Sequence, residues 1–189
     1  GSVNFRNLTL NPHGHGTHTE CVGHIAKEVH SVNQHLKQWF FDALLITIEP
    51  EKLGDDLVIT KAQIMAAVND SKPEALILRT LPNSDKKLFT NYSSSNPPYI
   101  EAASAAWMRE QNIKHLLLDL PSVDREEDGG ALAAHKAFWN YPENPRMDAT
   151  ITELIYVPNE VADGEYLLNL QVAPIENDAS PSRPVLYSR

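Results

Sequence analysis

The stretch Ala75-Leu-Ile-Leu-Arg-Thr80 and, farther on, His115-Leu-Leu-Leu-Asp-Leu120 frame the centre of the chain. Both are short, nearly continuous apolar runs without the polar alternation of a half-exposed strand, so both read as strands buried on two faces. Between them, Ile100 to Gln111 carries alanines, Trp107 and Met108 at helical spacing. The result is a strand, helix, strand unit of the kind that builds a parallel sheet. The Pro-, Asn- and Ser-rich segment from Leu81 to Pro98 that precedes the helix is long for a connection in a small domain, which points to a functional loop.

Working outward, Phe41 to Ile48 (FDALLITI) is another apolar strand, closed by Glu49-Pro50, and Thr60 with Gln63 predicts a capping box opening a helix over Lys61 to Asn69. Toward the N-terminus, Phe5, Leu8 and Leu10 suggest a strand over Asn4 to Leu10, broken by Asn11-Pro12. On the other side, Gly129-Gly130 precedes a short helix through His135 to Trp139. Strands are expected over Ala149 to Val157 and Tyr166 to Ala173, with a turn at Asp163-Gly164. The sum predicts an α/β protein, a mixed central β-sheet with two or three covering helices, in a single domain over residues 1–189.

The composition fits one globular domain: 189 residues, 42% hydrophobic and 22% charged. Asp plus Glu number 25 against 16 Lys plus Arg, a formal charge of -9, and no basic run interleaved with aromatics occurs. Nucleic acid and anionic membranes are therefore poor partners. No apolar run approaches the roughly 20 residues of a membrane-spanning helix, and the chain reads as soluble, with the cytoplasm as the expected compartment. The single cysteine, Cys21, excludes an internal disulfide and a multi-thiolate metal site, and reads as a small buried hydrophobe.

Chemistry concentrates near the N-terminus, where His13, His15, His18, His24 and His30 fall within 18 positions around Glu20. If His18 to Glu20 is extended, side chains at i and i+2 share a face, so an imidazole and a carboxylate can converge on one ion. Gly14 and Gly16 would let the backbone turn tightly there, and Thr17 could orient a ligand through a hydrogen bond. Imidazole and carboxylate are the usual ligands of Zn and Mn. The competing reading is a solvated polar loop, which is preferred for His30 and His35. His135 and Glu153 are distant candidates to complete a site. A carboxylate inside the apolar strand needs a partner if it points inward, and locally an outward-facing position is the stronger reading. Asp119, after Leu116-Leu-Leu118, either serves function at a strand end or caps the next turn. GxSxG, P-loop and dinucleotide signatures are absent.

The stretch Gly14-His15-Gly16-Thr17-His18-Thr19-Glu20-Cys21-Val22-Gly23-His24 resembles the signature HxGTHxDxPxH of the cyclase family, the group that includes bacterial kynurenine formamidases. Glu20 replaces the signature's Asp, Val22 its Pro and Gly14 its first His. One inserted residue would give His13 the first-His role, with His15 the second choice. The similarity continues in order through ALILRT, Leu116 to Asp124 (LLLDLPSVD), a following His, and Val161 to Ile175 (VADGEYLLNLQVAPI).

The resemblance implies a swivelling β/β/α cyclase-like domain, here without the family's N-terminal segment and with an insert near Pro142 to Arg146. It implies one or two Zn ions, or Mn, held by His13, His18, Glu20, His135 and Glu153, with His24 as the catalytic proton carrier. It also implies a small-molecule substrate and hydrolysis of a C–N amide bond, in an N-formyl aromatic amine such as N-formylkynurenine or in a small cyclic amide or lactone, and assembly as a homodimer or higher homo-oligomer. The Gly14, Glu20 and Val22 departures raise the alternative of an impaired homologue that binds metal or a small acid without turnover.

Overall fold

Strands rich in β-branched and leucine side chains on both faces can be covered only by layers on both sides, and the chain supplies them. The computed structural model describes residues 3–189. In order, it forms His18–Glu20 (β1), Val32–His35 (α1), Phe40–Ile48 (β2), Glu51–Leu53 (β3), Asp56–Ile59 (β4), Lys61–Val68 (α2), Ala75–Thr80 (β5), Tyr99–Ile100 (β6), Ala102–Glu110 (α3), His115–Leu118 (β7), Ala133–Trp139 (α4), Thr150–Glu153 (β8), Gly164–Asn169 (β9), Ala179–Pro181 (β10) and Val185–Ser188 (β11).

An eight-stranded sheet runs β10-β1-β8-β7-β5-β2-β9-β11, beside a three-stranded sheet β3-β4-β6. The central strands β8, β7, β5 and β2 are mutually parallel, with Leu44 opposite Leu76 and Ile77 opposite Leu117. Antiparallel pairs extend the sheet at both ends. Alternate residues feed two apolar layers. Leu44, Ile46, Leu76, Leu78, Leu116 and Leu118 pack with Ile64 of α2, Met108 of α3 and Phe138 and Trp139 of α4. Leu45, Ile77 and Leu117 face the other way, onto Val32, Ile155, Val157 and Leu168. The mixed α/β expectation holds.

Local expectations hold where local chemistry suffices. Thr60 caps α2 with both halves of the box formed, and Ala75–Thr80 is wholly buried. Four expected boundaries change. The segment from Asn4 to Leu10 forms no strand: its apolar residues at 5, 8 and 10 do not alternate, no neighbour pairs with it, and Phe5 and Leu8 are 88% and 89% exposed. Residue 100 belongs to β6, and the helix begins two residues later. The strand expected over Ala149 to Val157 stops at Glu153 because Leu154 takes φ 55, a left-handed conformation that ends a strand. The next strand spans Gly164–Asn169, and its opening turn is fixed by Asp163, which accepts hydrogen bonds from Thr47 N and Oγ1 and from Arg79. Among the described residues no helix is long and apolar enough to cross a membrane.

Candidate metal centre

Only three residues long, β1 is held from both sides, by β8 and by β10, with His18 opposite Glu153 and Glu20 opposite Ala179. The pleat places His18 and Glu20 on one face and puts Glu153 beside His18 on that same face, so all three side chains meet. His18 and Glu20 are fully buried and Glu153 is 4% exposed. The solvated-loop reading fails for the first two and the outward-facing reading for the third. Thr19 points to the opposite face, hydrogen-bonded to Thr152 and Ser182.

His13 reaches the cluster from a turn in which Gly14 N donates to Asn11 O and His13 N to Asn11 Oδ1. Its Nδ1 lies 3.1 Å from Glu20 Oε2 and its Nε2 2.8 Å from Asp178 Oδ2. His15 stands outside, exposed, its Nδ1 accepting from Asn11 N at 3.0 Å. Of the two glycines expected to turn the backbone there, Gly16 alone adopts a left-handed φ, 120°. Thr17 orients no site side chain directly. Its hydroxyl donates to Leu154 O at 2.6 Å and ties the motif to the end of β8.

His24 closes a 3-10 turn over Val22–His24, one helical turn beyond Glu20, with Nδ1 3.6 Å from Glu20 Oε2 and 3.5 Å from Asp178 Oδ2. His135 sits in the first turn of α4. Asp124 accepts there from Ala134 N at 2.6 Å and from His135 N at 3.3 Å, and also from His135 Nδ1 at 2.6 Å. The helix cap therefore also sets the imidazole. Its other nitrogen faces Glu20 Oε1 at 3.2 Å and Glu153 Oε1 at 3.9 Å.

Every candidate ligand except His15 is thus drawn to one place around Glu20, whose two oxygens look in different directions, one to His135 and the other to His13 and His24. Asp124 and Asp178 are the partners that sequence reasoning did not single out. Asp124 lay in plain view in Pro121-Ser-Val-Asp124, nine residues before the helix it caps, whereas nothing local marks Asp178. His30 and His35 lie against each other, ring centroids 5.5 Å apart, outside this group. Asp119 also stays out: it accepts from Thr80 N and Oγ1 and pairs with Lys87 Nζ at 2.7 Å, pinning the Leu81 to Pro98 loop to the sheet. Cys21 is buried, and that burial pushes its thiol up to about 11.

The donor set fits a divalent cation. Gly16 O can only accept, so His18 Nδ1 donates there at 3.0 Å and Nε2 is turned toward the cluster, where Glu153 raises the imidazole's pKa against burial. That Nε2 and Glu20 Oε2 are buried without a hydrogen-bond partner among the described residues, although Glu153 Oε2 and His13 Nδ1 stand 3.3 and 3.1 Å away. Buried polar atoms without a partner, lying with His13 in one group of ligand atoms within 4.8 Å, cost free energy that an ion among them would recover. Electrostatics agree. Burial opposes the imidazolium of His13, but the carboxylates of Asp178 and Glu20 overcome it and raise the pKa to about 10. His135 reaches about 10 against still deeper burial, through Asp124 and Glu20. Burial disfavours the Glu20 carboxylate, yet His13 and His135 hold it below the usual carboxylate range. Burial and the neighbouring Glu20 charge push Glu153 upward. The cluster is an anionic nest that attracts protons, or a metal, into its centre.

A cleft of about 700 Å³ opens beside His13, walled by Phe89, Tyr92, Pro121, Leu132 and Leu154.

Residues 2–125 match the family model described as "Putative cyclase". The chain belongs to this family. Among curated cyclase-family relatives, it is 28% identical over 189 residues to the kynurenine formamidase of Bacillus cereus, spanning 98% of this chain and 81% of that protein. It is 27% identical over 190 residues to the kynurenine formamidase of Bacillus cytotoxicus, with the same coverage. Its fold is similar to that of a potential metal-dependent hydrolase with cyclase activity, with a TM-score of 0.73 at 17% identity over 96% of this chain and 81% of the other. It also resembles isatin hydrolase A from Labrenzia aggregata, with a TM-score of 0.72 at 14% identity over 97% and 76%.

Proposed function

We propose that this cyclase-family chain is a metal-dependent amidohydrolase that cleaves the C–N bond of a small amide, either an N-formyl aromatic amine such as N-formylkynurenine or a cyclic amide of the isatin kind, with the ring C–O bond of a small lactone as the related alternative. The carrying observation is the set of three imidazoles, His13, His18 and His135, each with one nitrogen engaged by an outer oxygen and the other turned inward, His13 and His135 toward the Glu20 carboxylate and His18 toward Glu153. Metal-binding histidines are held in this way.

His13, His18 and Glu20 Oε2 would hold one ion, and Glu20 Oε1, His135 and Glu153 a second; Zn suits this set and Mn is the alternative. Such an ion supplies a Lewis acid for the scissile carbonyl and lowers the pKa of water from 15.7 to about 7. The chain's own residues do the rest. The half-buried His24, stacked 4.3 Å from the His13 ring at the edge of the cluster, delivers a proton to the leaving nitrogen, a role worth about 10² to 10⁴ in rate. Phe89, Tyr92, Leu132 and Leu154 offer flat apolar walls to a planar ring and keep water from the reacting carbonyl.

The Glu-for-Asp replacement supports turnover as much as it threatens it. Its extra methylene lets one carboxylate touch both His13, displaced by one residue, and His135 on α4, so the two departures compensate. The exposed apolar side chains of Phe5 and Leu8 favour a homo-oligomer.

Metal analysis of the purified protein, together with hydrolysis assays on N-formylkynurenine and isatin, tests this reading. One to two equivalents of Zn or Mn and turnover of either compound are expected. Metal with no turnover of amides or lactones would favour the impaired-homologue alternative, and protein that neither carries Zn or Mn nor melts higher on adding them would overturn both.

A further inference from the structure

The one-residue displacement of the first histidine leaves a mechanical problem. His13 comes from an exposed turn, its ring is partly open to solvent, and its other packing partner is the neighbouring ring of His24, itself half exposed. Such a ring can rotate by half a turn and present carbon instead of nitrogen to the cluster.

The structure removes that freedom through one side chain. Asp178 Oδ2 accepts from His13 Nε2 at 2.8 Å, which leaves Nδ1 as the inward nitrogen, 3.1 Å from Glu20 Oε2. The mount is rigid. Asp178 directly precedes β10, whose Ala179 pairs with Glu20, its carbonyl accepts from Cys21 N at 3.0 Å, and the neighbouring Asn177 carbonyl accepts from Val32 N at 2.9 Å. The turn that carries His24 fits against it because residue 23 is glycine: a Cβ there would lie 2.4 Å from His30 O and 3.2 Å from Asp178 Cβ.

Resting on the metal-site reading above, we propose that Asp178 is the positioning residue that makes the displaced His13 an Nδ1 ligand, through a carboxylate–histidine–metal relay closed from the far edge of the sheet. It is the counterpart of Asp124 on His135, with the ring reversed: Asp124 holds Nδ1 and frees Nε2, whereas Asp178 holds Nε2 and frees Nδ1. Loss of an outer-shell carboxylate of this kind weakens metal binding about 10- to 100-fold.

The test measures Zn and Mn affinity by competition with a chromophoric chelator on the full chain, for wild type, Asp178→Ala, Asp178→Asn, His13→Ala and the His13→Ala/Asp178→Ala double variant. Melting of each in chelator serves as the control for folding. Asp178→Ala should lose about 10- to 100-fold on one ion, Asp178→Asn, which keeps an acceptor oxygen, less, and the double variant no more than His13→Ala alone. In the Zn-loaded wild type, the nitrogen-15 shifts of His13 should place the metal on Nδ1 and the proton on Nε2. Wild-type affinity in Asp178→Ala, additive losses in the double variant, or metal on Nε2 would each overturn the proposal. If Asp178→Ala does not fold, unchanged affinity and unchanged nitrogen shifts in the isosteric Asp178→Asn would do so. Wild-type protein that binds neither ion overturns the metal-site reading itself, and this relay with it.

Discussion

Stripping the metal should turn the centre into a proton trap, and the pH dependence of stability should then reveal it. In metal-free protein His135 donates from both nitrogens, to Asp124 Oδ2 and Glu20 Oε1, and its pKa stands at about 10 against 6.5 for an unperturbed imidazole. A pKa raised on folding contributes stability that is complete below the unfolded value and is lost as pH climbs toward the folded one. Between about pH 7 and about pH 8.5 the folded imidazole keeps its proton while the unfolded one has lost it, so His135 alone lowers stability by about 1.36 kcal/mol per pH unit, roughly 2 kcal/mol over the interval. For a chain of this size that is a drop in Tm of about 4–8 °C. His13, also raised to about 10, acts in the same direction. Glu20 and Asp178, held low, are ionised in both states across this window and contribute no slope. Metal-loaded protein should not follow, because the ion takes the nitrogen that the proton would occupy and binds better as protons leave. Calorimetric melting in chelator and in excess Zn at the two pH values checks this. A chelated Tm that is flat or rising, or parallel slopes with and without Zn, would refute the reasoning.

Other outcomes follow from the same geometry. Glu153→Gln keeps an acceptor for Val123 N and removes only the charge, so it should barely change the melting of chelated protein yet lower metal content by about one ion; full content after elemental analysis would place the second ion elsewhere. His13→Ala should lose metal while His15→Ala retains it, since the latter ring serves only the Asn11 turn, and the reverse ranking would mean that the turn is read wrongly. His24→Gln should retain the metal and lose about 10²- to 10⁴-fold in kcat, an outcome excluded if metal and activity fall together. Asp119→Ala takes the acceptor from the buried Thr80 amide and leaves Lys87 held by Thr80 O and Oγ1 alone, and should cost about 1–3 kcal/mol by denaturant unfolding; a change under about 0.5 kcal/mol would remove Asp119 from the structural framework.

Elements whose cause is local could be read from the chain. The apolar runs of β2, β5 and β7 identify buried parallel strands because no other short element is apolar on both faces. The Thr60 and Gln63 pair fixes the start of α2 because both halves of the box lie within one turn. Elements that exist through their neighbours left no such mark. Strand β10 is Ala-Ser-Pro at the sheet edge, and β3 is Glu-Lys-Leu, exposed throughout. Nor does any propensity foretell that Leu154 turns left-handed and cuts β8 short, although this break ends the strand just after Glu153 and sends the chain over Thr17.

The site divides along the same line. The His18 and Glu20 pair follows from the period of a strand. His135 and Glu153 could be named from the residues only as distant candidates, and the family resemblance alone gives them ligand roles, since neither position has a local ligand motif. Their convergence depends on the β1–β8 register and on a helix cap. The first ligand position shows why spacing alone fails. Counting back four residues from His18 reaches Gly14, and choosing between His13 and His15 by distance along the chain is arbitrary, because both flank the same turn. The choice is made across the sheet. A carboxylate 165 positions away offers an acceptor to one of the two rings, and a backbone amide of the turn occupies the other. If the signature's first histidine has shifted by one place here, as we propose, the acceptor awaiting the ring decides which neighbour takes over its work, and that acceptor lies just before a strand whose own sequence says nothing about metal.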